Sequence, residues 1–117
     1  MKTTYRLPSE LRQQMRSIVA KEYNAKSKSR WIREAIDTLL VEDTSLLSVG
    51  VGDDLEVNEV LDTVDLGLLI PDRIDKAIAT LRRQDPLLEG IMASIIRAAI
   101  RRRLAKWKRL PPFEKSL

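Results

Sequence analysis

Lys2-Thr3-Thr4-Tyr5-Arg6-Leu7-Pro8 is the stretch on which the fold turns. It alternates and stops at a proline. As a strand it places Thr3, Tyr5 and Leu7 on one face and Lys2, Thr4 and Arg6 on the other, because side chains alternate with period two. One short strand with a polar face is not stable alone in water, so it needs a partner strand and a helical layer beneath.

Downstream of Pro8 the period changes. Ser9 is predicted to be the N-cap, with Glu10 near the positive helix end. Leu11, Met15, Ile18 and Val19 then recur on one helical face. The helix is predicted to end near Tyr23-Asn24, with Asn24 in a left-handed cap. A second helix is predicted from Ser27 or Ser29, carrying Ile32, Ala35, Ile36, Leu39 and Leu40 on one side and Arg33 and Glu34 elsewhere on the wheel.

Residues 44–62 lose this periodicity, gain Gly50 and Gly52, and turn acidic; they read as a linker. The pattern then returns. Val64, Leu66, Leu68 and Ile70 alternate up to Pro71, Asp72 is placed to cap a helix bearing Ile74, Ile78 and Leu81, and Asp85-Pro86 breaks it. A last helix runs from about Leu88 to Trp107 and must stop before Pro111-Pro112. Ile32-Arg33-Glu34-Ala35-Ile36 corresponds to Ile96-Arg97-Ala98-Ala99-Ile100, a sign of internal duplication. The organisation is 1–43 first unit, 44–62 acidic linker, 63–110 second unit and 111–117 tail. Each unit, at about 45 residues, is smaller than domains that usually fold unaided; two together complete one core.

Composition narrows the function. The 117 residues contain no cysteine and no histidine, so thiolate chemistry, disulfides, ordinary zinc sites and triad catalysis lose their usual residues. No glycine-rich phosphate loop is present, and neither an enzyme nor a bound cofactor or metal is expected. No apolar run suits a membrane span and no apolar signal segment follows the N-terminus, so a cytoplasmic chain without a membrane partner is expected. The net charge of +4 is unevenly spread. Basic blocks at residues 1–44 and 63–117 flank the acidic middle, which suits a polyanion partner and equally a solvated charged surface.

The strand-to-proline run TTYRLP and the run AKSKSRWIREAI at positions 25–36 resemble the ribbon-helix-helix DNA-binding proteins, the Arc/MetJ superfamily. The duplication resembles the tandem, TraY-like proteins of plasmid relaxosomes. The resemblance covers residues 2–42 well and 64–107 in pattern. It implies a mainly α fold with a short two-stranded antiparallel β-ribbon, formed by two ribbon-helix-helix units in one chain as a pseudo-dimer.

It also implies double-stranded DNA as the partner, with the ribbon in the major groove. Lys2, Thr4 and Arg6 are then the base readers, since Arg and Lys donate to guanine O6 and N7. Ser27, Lys28 and Ser29 at the start of the second helix are the phosphate seat. Alternating charge on a strand and serines at a helix start also occur with no such role.

Aligned on the prolines, Lys2, Thr4 and Arg6 become Asp65, Gly67 and Leu69; aligned on the helix repeat, Ser27, Lys28 and Ser29 become Ile91, Met92 and Ala93. The second unit is thus expected to support the fold and read little, Leu69 at most touching a thymine methyl. Arg101, Arg102 and Lys106 either contact flanking phosphates or form the solvated face of a docked helix. Two architectures stay open: pairing of the units within one chain, or pairing of like units between two chains. A linker of about 20 residues reaches up to roughly 65 Å, enough for both, and effective concentration favours the first.

The expected output is occupancy of DNA: transcriptional repression or regulation, or organisation of a plasmid transfer origin, with self-association on DNA and a relaxase as further partners. The alternative is an antitoxin or similar module whose C-terminal region binds a toxin protein.

Overall fold

A computed structural model describes residues 1–110 and Lys115. The chain runs β1 (Lys2–Leu7), α1 (Ser9–Glu22), α2 (Lys28–Glu42), β2 (Val60–Asp65), α3 (Ile70–Gln84) and α4 (Ile91–Arg109). It is mainly helical, with one two-stranded antiparallel sheet in which β1 and β2 of the same chain pair from Lys2↔Asp65 to Leu7↔Val60. The sheet's inner face lies on α2 and α4. There Tyr5, Leu7, Val64 and Leu66 join Trp31, Ile32, Ile36, Ile95, Ile96 and Ile100 in one apolar core. α1 and α3 complete it with Leu11, Met15, Ile18, Ile74 and Leu81. Among the described residues no helix is long and apolar enough to cross a membrane.

β2 corrects the expected second strand. It begins at Val60, inside the stretch read as linker, and ends before Leu68 and Ile70. The alternation Val64, Leu66, Leu68, Ile70 breaks at Gly67, whose φ of 69° turns the chain. Leu68 and Leu69 then stand 89% and 81% exposed. Pro71 lies in the first turn of α3, where a missing N–H forfeits no helical bond. The strand was hidden because its inner face carries Asp62, an acid where the pattern demanded an apolar residue. Gly67→Ala is expected to lower unfolding stability by about 1 kcal/mol through left-handed strain, checked by urea denaturation. An added Cβ would lie 3.5 Å from the Arg33 side chain, an ordinary contact, so steric overlap is not the cause.

The caps differ from expectation too. Pro8, not Ser9, occupies the N-cap of α1. The Ser9 amide instead donates to the Glu59 carboxylate at 2.9 Å. Pairing of Leu7 with Val60 brings that acid to the helix end, where negative charge is favoured. Asn24 is not left-handed; its side-chain oxygen accepts from the Lys26 amide at 2.9 Å, a local turn. Ser27 holds the N-cap position of α2 without a side-chain cap bond. Asp72 lies within the first turn of α3 and does not cap it. α4 starts three residues later than predicted, after a left-handed Gly90, and ends before Pro111. The tail 111–117 lies outside the described residues apart from Lys115.

The connector from Asp43 to Glu59 is tied down at several points. The Asp43 carboxylate accepts from the Leu47 and Ser48 amides, Leu46 enters the core, and Asp53 reaches α4.

Candidate nucleic-acid interface

Lys2, Thr4 and Arg6 lie side by side on the exposed face of β1. Their cross-strand partners are Asp65, Thr63 and Leu61. Opposed residues of an antiparallel pair share a face, so the ribbon presents these six side chains together. Gly67 and Leu69, aligned above with Thr4 and Arg6, lie beyond β2. Leu69 is exposed in the turn before α3, off this face. The face is uneven: two cations on β1, one acid and one leucine on β2. Asp65 is already engaged, accepting from the Gly67 amide at 2.9 Å and the Met1 ammonium at 3.2 Å. These contacts hold its carboxyl below the usual range.

Two arginines fix the ribbon from below. Arg33 of α2 donates to the Asp65 carbonyl at 2.7 Å, and the Ser29 hydroxyl oxygen accepts from the Asp65 amide at 3.0 Å. Arg97 of α4 donates to the Arg6 carbonyl at 2.8 Å. The backbone behind both ends of the exposed face is thus held by helical side chains. Arg97 is only 7% exposed, and its guanidinium also meets the Asp53 carboxylate at 2.9 Å through Nε and Nη2. Arg101 reaches the same carboxylate at 2.7 Å.

Burial works against the ionised form of Asp53, but its hydrogen bonds from Arg97 and Arg101 outweigh it and bring the pKa to about 2. The unfolded value is about 3.9. A folded value below the unfolded one gives stability that is complete above pH ~4 and lost as pH falls through ~2. The urea midpoint of the chain should therefore exceed that of Asp53→Asn at neutral pH and converge on it between pH 4 and 2. A gap that stays constant over that window would contradict the ion pairing.

The second expected contact set divides. Ser27, Lys28 and Ser29 do begin α2, beside the ribbon. Together with Arg16, Lys26 and Thr63, Lys28 and Ser29 line an open hollow of about 460 Å³. Lys28, however, donates to the buried Asp62 carboxylate at 2.6 Å, and Tyr5 donates to the other oxygen at 3.0 Å. Burial and the adjacent Asp62 charge push the Tyr5 hydroxyl far above its ordinary value. Asp62 is 6% exposed; burial raises its carboxyl, but Lys28, the Thr63 amide and Tyr5 outweigh that and hold it below the usual range. In the first turn of α4, the Met92 sulfur lies 3.7 Å from the Thr3 hydroxyl.

The basic block of α4 faces carboxylates. Arg101 meets Asp53, Arg102 meets Glu42 at 3.1 Å, and Lys106 meets Glu42 at 2.6 Å. Arg103 meets Glu22 at 2.7 Å and lies over the Trp31 ring. These contacts dock α4 against α1, α2 and the connector. Sequence reasoning missed Leu61 and Thr63 on the exposed face and Arg16 and Lys26 at the hollow. The Leu61-Asp62-Thr63-Val64 alternation was the available signal, obscured by Asp62.

Comparison of the chain with protein-family models, with curated proteins and with solved structures found no match.

Proposed function

We propose that the chain is a tandem ribbon-helix-helix protein that binds double-stranded DNA by seating the β1–β2 ribbon in the major groove. The observation that carries this reading is the exposed ribbon face, with Lys2, Thr4 and Arg6 against Asp65, Thr63 and Leu61. The major groove admits a two-stranded ribbon and offers guanine acceptors to Lys and Arg.

An internal two-fold relation supports the tandem reading. Arg33 and Arg97 stand 64 positions apart, as do Lys28 and Met92. The strand residues they meet, Asp65 and Arg6 for the arginines and Asp62 and Thr3 for the others, are 59 apart in both cases. Strands and second helices therefore repeat with different offsets, five residues having entered unit two between β2 and α4. On this alignment Lys2, Thr4 and Arg6 correspond to Leu61, Thr63 and Asp65. Only threonine recurs, so the two halves of the target should differ: a guanine-rich half under β1, and a half with thymine methyl or cytosine amine contacts under β2.

Phosphates beside the ribbon meet Ser27, Ser29, Arg16 and Lys26. The chain performs no chemistry in this reading. Its output is occupancy, as a transcriptional regulator or an accessory factor at a DNA transfer origin. Selection of duplexes from a random pool tests it. The expected result is a non-palindromic consensus bound by one chain. A palindrome bound by two chains would refute pairing of the halves within one chain, and failure to enrich any duplex would refute the function.

A further inference from the structure

Asp62 is an unusual inner-face residue: a carboxylate on a face whose other side chains, Thr3, Tyr5, Leu7, Val60 and Val64, carry no charge. Its two oxygens are occupied by Tyr5 of β1 and Lys28 of α2. The equivalent position in the other half, Thr3 against Met92, is filled without charge. An ion pair is therefore not what this place in the fold requires.

Its location suggests what it does. Lys28 borders the hollow that also exposes Arg16 and Lys26, next to Thr63 of the ribbon's outer face. Arg16 and Lys26 meet no carboxylate among the described residues. Lys28 alone of these three is turned inward, onto a buried acid. Withdrawing it would leave a buried carboxylate unpaired, which is strongly unfavourable, so Lys28 stays with Asp62 when an anion approaches.

We infer that Asp62 is an affinity-setting residue, which restrains Lys28 and withholds one cation from the phosphate backbone. The inference rests on the DNA-binding reading. Asp62 lowers the sequence-independent part of binding, which grows with each phosphate neutralised. Arg16 and Lys26 supply the positive charge that remains at this hollow.

The test uses the full chain, a random-sequence duplex and a duplex selected from a pool, with binding followed by fluorescence anisotropy from 50 to 200 mM salt. Asp62→Asn keeps the shape and still accepts from Tyr5, while releasing Lys28. It should steepen the salt slope by about 0.9 and tighten binding to both duplexes roughly eightfold near 0.1 M salt, the effect of one added phosphate contact. Lys28→Ala should leave the slope unchanged, and the double variant should return to the parent slope. A slope reduced by about 0.9 in Lys28→Ala would overturn the inference, because Lys28 would then already serve phosphate. So would a folded Asp62→Asn with an unchanged slope. Should Asp62→Asn or Lys28→Ala fail to fold by circular dichroism, Lys28→Gln, which removes the charge and can still donate to Asp62, decides by its slope: unchanged on the inference, reduced by about 0.9 if Lys28 already serves phosphate. If the parent chain binds neither duplex at 50 mM salt, the DNA-binding reading itself is overturned, a different outcome from a parent that binds while the variants show no release.

Discussion

Replacing Arg97 with methionine is expected to lower the unfolding free energy by about 3 kcal/mol, the low end for removing one partner of a buried ion pair. The low end applies because Arg101 still meets the Asp53 carboxylate. For a chain of this size that corresponds to a fall of roughly 10–20 °C in Tm. Arg97 joins three segments that are distant in sequence: α4, the connector through Asp53, and β1 through the Arg6 carbonyl. Removing both charges should be milder than removing one, since a buried pair replaced by apolar groups is often neutral. The double change Asp53→Leu with Arg97→Met should therefore recover part of the loss in a urea-denaturation cycle. Arg101→Met, which leaves Arg97 on Asp53, should lower stability less. Equal losses at 97 and 101 would show that Arg97 has no special place in the fold.

The second large effect is on recognition. Arg6→Ala is expected to weaken binding to the selected duplex by about 1–3 kcal/mol, the discrimination of one bidentate base contact, with little change on random duplex. Its side chain is exposed, so stability should hardly change. Among the described residues the guanidinium makes one weak contact, to the Glu59 carbonyl at 3.4 Å. Equal losses on both duplexes in an anisotropy titration would mean that Arg6 holds phosphate and reads no base.

The elements behind these effects differ in how legible they are in the sequence. β1 and its two faces were legible because alternation and the proline boundary agree at every position from Lys2 to Pro8. α1 and α2 were legible for the same reason at helical period. β2 was not. Asp62 sits where an apolar residue was required, and its long-range partners, the Lys28 ammonium that neutralises its charge and the Tyr5 hydroxyl that donates to it, cannot be seen in a local pattern. Leu68 and Ile70 supplied a false continuation that only the turn at Gly67 ends.

The misplaced strand had a consequence for the site. Aligning prolines set Asp65, Gly67 and Leu69 against Lys2, Thr4 and Arg6, whereas the ribbon register opposes them with Asp65, Thr63 and Leu61. The match between Ile32-Arg33 and Ile96-Arg97 was visible as a repeat, but the helical wheel put these arginines off the apolar stripe. Their work is to hold strand carbonyls, a role set by tertiary placement and not by periodicity. For the same reason Arg101, Arg102 and Lys106 looked available. Asp53 lies 48 positions from Arg101, and Glu42 lies 60 and 64 from the other two.

Seating of the ribbon in the major groove can be tested on the unmodified chain. Guanine N7 lies in that groove, and its methylation blocks a donor from Arg6 or Lys2. In a methylation-interference experiment on a selected duplex, modified guanines should be excluded from the bound fraction in one half of the site, and a ligand confined to the minor groove should not compete. Binding indifferent to N7 methylation, or displaced by the minor-groove ligand, would contradict the account.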